Sequence, residues 1–314
     1  MTPPDYANLI DAETWAFIRE TESYYPPETA TYPIAKQREI YDTMCRAFFK
    51  GYPEGVTATN RALGGVACRV YEASIPTATV IYFHGGGFVV GGLESHDDVC
   101  AEICKATGFR VVAVDYRLCP EHKHPAAFAD SLSATRAVLQ AFPGPLVLAG
   151  DSAGGNLAAA VAFATRGTPA IQGQVLIYPG LGGDPDRGSY MIHANAPMLT
   201  RADVLFYVTT RFEGGEEPAD DPSAAPLWAP TFAGLPATLV VSAECDPLCD
   251  DGRAYCSLIE AEGGRAHWLR EPGLVHGYLR ARHSVLRARD SFARITAAIA
   301  ALGRGEWPYG KAPQ

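Results

Sequence analysis

The sequence contains no apolar run near the roughly 18 residues that a membrane-spanning helix needs. Residues 1–6 (MTPPDY) also lack a basic stretch followed by an apolar one, so we expect neither a signal peptide nor a membrane partner. Basic residues are the minority of the charges, with 26 Lys and Arg against 35 Asp and Glu and a formal net charge of −9. Because nucleic-acid binding requires a basic surface, no nucleic-acid partner is expected.

The eight cysteines form no CxxC pair. The pairs Cys100/Cys104 and Cys245/Cys249 are each four residues apart, a spacing that does not match a zinc knuckle. Scattered cysteines in a large chain without a signal peptide are typical of reduced, buried thiols. We therefore predict a cytoplasmic protein that holds no metal ion.

Short apolar runs alternate with helical patterns through most of the chain. Strands that are apolar on both faces and separated by helices predict an α/β fold with a mostly parallel sheet covered on both sides. A hairpin that turns at residues 64–65 supplies the first two strands. The predicted strands are 56–63, 66–71, 79–83, 110–115, 146–149, 175–178, 238–242 and 266–270, and the predicted helices are 10–20, 34–49, 95–107, 126–141, 153–165, 201–212, 250–262 and 283–300.

Residues 150–154 read GDSAG, a GxSxG motif between an apolar run and a helix rich in small residues. This strand–turn–helix context is the one that a nucleophile elbow requires, because the tight turn leaves room only for very small neighbours of the serine. We predict Ser152 as the nucleophile.

Upstream, residues 84–87 read HGGG directly after a predicted strand. Such a glycine run exposes backbone N–H groups that can stabilise an oxyanion.

A serine nucleophile needs a base, and the base needs an acid to orient it. Asp246 follows a buried predicted strand, and His276 lies on a glycine-flanked loop after the last one. We predict Asp246 as the orienting acid and His276 as the general base. Asp250, which follows closely, is the alternative carboxylate, although it is better suited to cap a helix.

The motifs at residues 84–87, 115–121 (DYRLCPE), 150–154, 246–248 (DPL) and 276–277 together resemble those of the hormone-sensitive-lipase-like esterases, from about Val56 to the C-terminus. The resemblance implies an α/β-hydrolase fold with an eight-stranded sheet and a helical cap. It also implies an oxyanion hole formed by Gly85, Gly86 and Ala153. The activity implied is hydrolysis of small, neutral, short-acyl carboxylic esters without a cofactor. Lys123-His124 departs from the family pattern, which has aromatic or apolar residues there.

Residues 1–51 carry helical patterns and a Pro-rich connector but no strand pattern. We predict that they form an N-terminal cap segment, that 52–314 form the catalytic domain and that 182–235 are a second cap insertion. Aromatic residues of the first segment could line the pocket or could merely pack its helices onto the domain. They are Trp15, Phe17, Tyr24, Tyr25 and Tyr32.

Three other functions share this fold pattern. A non-hydrolytic enzyme, such as a dehydratase, would keep much of the site, and a small-molecule-binding module would usually have lost the base. An interfacial lipase is disfavoured because there is no long apolar lid. The partner expected is a small ester, and a homodimer is compatible with the sequence.

Overall fold

A computed structural model describes residues 4–218 and 220–310 of the protein. Eight strands form a single sheet in the order β1-β2-β4-β3-β5-β6-β7-β8. The first two are antiparallel to their neighbours and the rest are parallel, as the sequence predicted. The strands are β1 (Thr57–Leu63), β2 (Val66–Glu72), β3 (Thr79–Phe83), β4 (Arg110–Val114), β5 (Leu146–Asp151), β6 (Ile171–Ile177), β7 (Ala237–Cys245) and β8 (Ala266–Val275).

Helices cover both faces of the sheet and precede it in the N-terminal segment. In the described part of the chain, no helix is long and apolar enough to cross a membrane. The α-helices are α1 (Tyr6–Leu9), α2 (Ala12–Glu22), α3 (Ile34–Phe48), α4 (Asp97–Thr107), α5 (Ala126–Ala141), α6 (Ala153–Ala164), α7 (Gly188–Ile192), α8 (Arg201–Arg211), α9 (Cys249–Ala261) and α10 (Leu286–Gly303), and 3-10 turns span Thr29–Thr31, Glu213–Gly215, Pro226–Trp228 and Tyr278–His283.

The central strands are buried on both faces, which explains their continuous apolar runs. In β3, Val80 and Tyr82 belong to one hydrophobic cluster, whereas Ile81 and Phe83 belong to the other. Successive side chains of a strand point to opposite faces, so each face needs its own apolar partner layer. The parallel register brings the carboxyl ends of β3, β5, β6, β7 and β8 to one edge, where sites form in open α/β sheets.

Some strands are longer than their apolar patterns predicted. β8 runs to Val275 although it contains Glu271, Pro272 and Gly273. Proline lacks an N–H donor, but an edge strand such as β8 needs ladder bonds on one side only. Glu271 is nearly buried there and is paired with Arg294. The short helices α1 and α7 carried too little periodicity to be predicted.

The N-terminal segment contributes to the main core. Phe17, Ile18, Met44 and Phe48 are buried in the same hydrophobic cluster as the inner side chains of the sheet. The hypothesis that Phe17 lines a pocket is therefore wrong, because only 1% of its surface is exposed. The boundaries 1–51, 52–314 and 182–235 stay predictions.

Candidate active site

Ser152 occupies a strained turn between β5 and α6, with φ 53° and ψ −119°. A positive φ is unfavourable for a residue with a side chain and persists only when the surroundings enforce it. Here, a Cβ atom on Gly150 would lie 2.3 Å from the carbonyl oxygen of Gly154, and one on Gly154 would lie 1.9 Å from that of Phe83. The Ser152 N–H donates to the carbonyl of Ile177 at 2.9 Å. The glycines of the motif are thus required by close packing of the backbone.

The structure brings Ser152, His276 and Asp246 together from the ends of three strands. The Ser152 hydroxyl lies 2.9 Å from His276 Nε2, and His276 Nδ1 lies 2.7 Å from Asp246 Oδ2. Asp246 is completely buried, and its other oxygen accepts the N–H of Leu248 at 2.9 Å. The ring of Tyr178 packs against His276 at 4.8 Å between centroids. In such a line the imidazole can take the serine proton while the carboxylate orients it.

Asp250 lies away from His276. Its Oδ2 accepts the backbone N–H of Ser189 in α7 at 2.9 Å, and its own N–H donates to the Ser189 hydroxyl at 3.0 Å. Ser189 in turn donates its hydroxyl to the carbonyl of Pro247. Asp250 therefore attaches residues of the 182–235 insertion to the start of α9, and Asp246 is the carboxylate that faces the base.

The glycine run differs from its predicted role at one residue. The N–H of Gly85 donates to Asp151 Oδ1 at 3.0 Å, so it is not free to stabilise an oxyanion. The expectation for Gly85 is thus corrected. Within residues 4–218 and 220–310, the N–H groups of Gly86, Gly87 and Ala153 have no hydrogen-bond acceptor. Three successive glycines offer three similar donors, so the sequence alone could not show which one Asp151 occupies.

Asp151 is the centre of a buried polar network behind the nucleophile. It accepts hydrogen bonds from the Tyr82 hydroxyl at 2.7 Å and from His96 Nε2 at 3.1 Å. Burial opposes ionisation, but His96, Tyr82 and the charge of Arg280 outweigh it and hold the pKa of Asp151 well below its usual range. Sequence reasoning missed His96 and Tyr82, because no fixed spacing relates them to the GxSxG motif.

His84 supports the glycine loop and does not face the nucleophile in any described contact. Its ring stacks on Tyr116 at 4.2 Å, and its Nδ1 donates to the carbonyl of Gly85 at 2.8 Å. The Tyr116 hydroxyl donates to the His84 carbonyl at 2.6 Å. Burial lowers the pKa of His84 to about 4, so the ring is neutral near pH 7. The motif at residues 115–121 therefore contributes Tyr116 to the base of this loop.

Helix α8 of the insertion reaches the glycine loop. A Cβ atom on Gly87 would lie 2.3 Å from the ring of Tyr207, which shows how closely this ring covers the loop. Lys123 and His124 attach the same insertion at another point. Lys123 donates to the carbonyl of Phe212 at 3.3 Å, and His124 donates its backbone N–H to the carbonyl of Arg211 at 3.0 Å.

The His124 imidazole also pairs with Asp221 at 2.9 Å, within residues 182–235. The departure of Lys123-His124 from the family pattern thus has a structural explanation. Both side chains provide polar attachment for the insertion, because apolar side chains would leave the Phe212 carbonyl and the Asp221 carboxylate without these partners.

One group of metal-ligand side chains converges in the described residues, away from the triad. It comprises Asp98, Glu102 and His283. The guanidinium of Arg282 already pairs with Asp98 at 2.6 Å and with Glu102 at 2.7 Å, so a permanent cation offsets part of the negative charge of this cluster. All eight cysteines lie in the described part of the chain, where each is buried and unbonded to another.

Comparisons with known proteins agree with this geometry. A family model described as the alpha/beta hydrolase fold matches residues 80–280. The carboxylesterase NlhH of Mycobacterium tuberculosis is 38% identical over 231 residues, which cover 70% of this chain and 72% of the relative. Ethyl acetate hydrolase of Pseudomonas putida is 32% identical over 239 residues, or 73% of this chain and 74% of that protein.

Solved structures extend the similarity. A hyperthermophilic esterase from the archaeon Pyrobaculum calidifontis superimposes with a TM-score of 0.80 at 34% identity, covering 87% of this chain and 94% of that one. An esterase from the bacterial hormone-sensitive lipase family gives a TM-score of 0.83 at 26% identity, and the match covers 92% of this chain and 98% of that one. The chain belongs to the α/β-hydrolase fold family, among its hormone-sensitive-lipase-like esterases. It is a carboxylic ester hydrolase.

Proposed function

We propose that this enzyme hydrolyses small, short-acyl carboxylic esters through an acyl-enzyme on Ser152. The observation that carries the proposal is the continuous hydrogen-bonded line from Ser152 through His276 to Asp246, with distances of 2.9 and 2.7 Å. Only the serine and histidine of this line are half-buried, whereas Asp246 has no exposed surface. Substrate therefore reaches the nucleophile and the base but not the acid.

The reaction proceeds in two acyl-transfer steps. As the Ser152 hydroxyl attacks the ester carbonyl, its proton passes to His276 Nε2, and the imidazolium is stabilised by Asp246. His276 then gives this proton to the leaving alkoxide, so that an alcohol departs. Water next attacks the acyl-enzyme with His276 again as base, which releases the carboxylic acid and restores Ser152.

The oxyanion of each tetrahedral intermediate needs backbone donors. We assign this role to the N–H groups of Gly86, Gly87 and Ala153, in place of the predicted set of Gly85, Gly86 and Ala153. The support is the acceptor-free state of these three donors in the described residues, together with the bond from Gly85 to Asp151. Ala153 is also the first residue of α6, where the helix dipole favours negative charge.

Residues 1–51 and 182–235 form the cap in this proposal and limit the length of the acyl group. The support is the ring of Tyr207 against Gly87 and the bond from Arg38 in α3 to the carbonyl of Val89 at 2.8 Å, just beyond the glycine run. Ethyl acetate, which names the Pseudomonas relative, has the short acyl chain expected here.

A series of p-nitrophenyl esters with acyl chains from two to twelve carbons tests the proposal. We expect kcat/KM to be highest at two to six carbons and Ser152→Ala to lose several orders of magnitude in kcat without loss of folding. An organophosphonate should label Ser152. Labelling at another residue, or a maximum at the longest chains, would contradict the mechanism or the acyl preference, respectively.

We also propose a cytoplasmic location and a homodimer. The eight unbonded, buried cysteines support the location, because oxidising compartments favour disulfides. β8 has a strand neighbour on one side only, which supports pairing of its first residues, before Pro272, with a second copy. Localisation of the tagged protein in its host and light scattering of the purified chain test the two statements.

A further inference from the structure

Arg280 lies four residues after the proposed base His276, on the 3-10 turn Tyr278–His283. Its guanidinium donates to the hydroxyl of Tyr41 in α3 and, at 3.5 Å, to the carbonyl of Ser95. The side chain is only half-buried. Because a guanidinium carries five N–H donors, these two contacts leave most of its donors available.

Arg280 forms no direct ion pair in the part of the chain that the structure describes. Its neighbour Arg282 shows the usual arrangement, with ion pairs to both Asp98 and Glu102. Arg211, which is buried near the site, directs its donors to oxygens of Asn156, Ser223 and Ala224. Burial opposes the charge of Arg280, but Cys45, Tyr41 and Asp151 outweigh burial and raise the pKa of Arg280 well above its usual range. The guanidinium thus stays charged while donors remain available for a ligand.

The charge of Arg280 acts on groups that belong to both sides of the active-site cleft. On the side of the sheet it helps to lower the pKa of Asp151, beside the nucleophile, and it opposes the effect of burial on the pKa of Tyr178, whose ring packs against His276. On the side of the N-terminal segment it opposes the effect of burial on the pKa of Tyr25. The hydrogen bonds to Tyr41 in α3 and to the carbonyl of Ser95 place the guanidinium between the N-terminal segment and the chain that follows the glycine run.

This region carries three tyrosine rings, and burial and, less strongly, the charge of Asp42 in α3 raise the pKa of one of them, Tyr25. Tyr25, Tyr41 and Tyr207 are each half-buried, and Tyr207 covers the proposed oxyanion loop at Gly87. A guanidinium with unused donors beside aromatic side chains fits a ligand that carries an anionic group. Carboxylates are the partners that a guanidinium binds most specifically, through two parallel hydrogen bonds.

We propose that Arg280 binds a carboxylate of the substrate, so that the preferred esters carry a negative charge in their acyl or alcohol part. This inference rests on the proposed function, since it concerns the same cleft. It differs from the expectation of neutral substrates. The formal net charge of −9 repels an anionic ester at long range, but this repulsion is screened by salt, whereas a partly buried contact is not.

The test for the acyl side compares monoethyl succinate, glutarate and adipate with neutral esters of similar shape, such as ethyl 4-methylpentanoate, by proton release. We expect a higher kcat/KM for the half-esters, with an optimum length that reports the distance from Ser152 to Arg280. Arg280→Met should lower the ratio of anionic to neutral kcat/KM by about 10–100-fold, the effect of losing charge-assisted hydrogen bonds. Arg280→Lys should retain part of the preference for anionic esters because the positive charge remains.

Arg166→Met is the matched control, because it removes the same charge from an exposed position at the end of α6 and should leave the ratio unchanged. For the alcohol side, O-acetyl lactate is compared with O-acetyl lactamide. The pair of esters whose anionic-to-neutral ratio falls more in Arg280→Met shows whether the carboxylate belongs to the acyl or the alcohol part. Melting temperatures show whether each variant is folded.

Equal losses on anionic and neutral esters in Arg280→Met, or a wild-type preference for the neutral partner in both arms, would overturn the inference and leave Arg280 a structural contact of Tyr41. Hydrolysis of neutral esters that depends on Ser152 would still support the proposed function in that case. Loss of that dependence would instead contradict the function itself.

Discussion

The backbone N–H of Gly85 is bound to the carboxylate of Asp151 at 3.0 Å, although the two residues are 66 positions apart. Asp151 directly precedes the proposed nucleophile, so one side chain links the nucleophile turn to the glycine loop. A Cβ atom on Gly85 would lie 2.4 Å from the other Asp151 oxygen, which makes glycine necessary there. We expect this contact to orient the N–H groups of Gly86 and Gly87, which follow it.

Asp151 is therefore expected to act as a positioning residue. Asp151→Ala should lower kcat by about 10–100-fold with a smaller change in KM, because misplacement of oxyanion donors affects the transition state more than substrate binding. A trifluoromethyl ketone, which mimics the tetrahedral intermediate, should bind correspondingly more weakly. A loss confined to melting temperature, with kcat and inhibitor binding unchanged, would reduce Asp151 to a structural role.

The two neighbouring carboxylates Asp246 and Asp250 should differ sharply. Asp246→Asn should reduce kcat by on the order of 10⁴-fold at unchanged stability, since an amide favours the wrong imidazole tautomer. Asp250→Asn should cost far less, because an amide oxygen can still accept the N–H of Ser189. Steady-state kinetics of both variants on one ester measures the two losses in kcat. A larger loss in Asp250→Asn than in Asp246→Asn would show that Asp250 orients the base.

Tyr207 should set the acyl-length limit. Tyr207→Ala removes the ring above Gly87 and should shift the optimum in the p-nitrophenyl series towards longer chains, with a raised KM for acetate. Phe206→Ala is the matched control, because this neighbouring side chain is 40% exposed. If both variants keep the wild-type length profile, α8 has no part in the acyl pocket.

Asp251 should make stability depend on pH. One of its oxygens accepts the N–H of Leu181, just before the insertion, at 2.7 Å and the hydroxyl of Tyr190, within the insertion, at 3.1 Å. Burial, reinforced by the charge of Glu217, outweighs these bonds and raises the pKa of Asp251 from 3.8 to about 7. Between these pH values the folded state keeps a proton that the unfolded state has lost, so the free energy of unfolding falls as pH rises.

The free energy of unfolding decreases by about 4 kcal/mol at most, and this decrease is complete above pH 7. Asp251→Asn keeps an oxygen that accepts hydrogen bonds but cannot ionise. The variant should therefore lack the part of the pH dependence of stability that comes from Asp251. Urea unfolding of the wild type and the variant from pH 5 to 8 measures the free energy of unfolding. Subtracting one profile from the other cancels the contribution of other titrating groups. Parallel pH profiles for the two proteins would show that Asp251 stays ionised when folded.

Much of the fold could be predicted from the sequence because the relevant signals are local. The apolar runs of β3 and β5, and the small residues around Ser152, reflect constraints within a few residues. Asp246 and His276 could be selected because each follows a strand, and parallel strands bring their carboxyl ends to one edge. β8 was predicted too short because Glu271 and Pro272 interrupt its pattern, and only its position at the edge of the sheet makes them tolerable.

The sequence by itself determined the order of strands and helices, the nucleophile turn and the identity of the three residues that the structure brings into one line. Only the tertiary structure decided which glycine N–H is occupied, that Phe17 packs in the core, and that Arg280 forms no direct ion pair among the described residues. The physical reason is the range of the interactions. Propensity and spacing report on neighbours in the chain, whereas a hydrogen bond, a burial or a missing counter-charge depends on residues that approach each other only after folding.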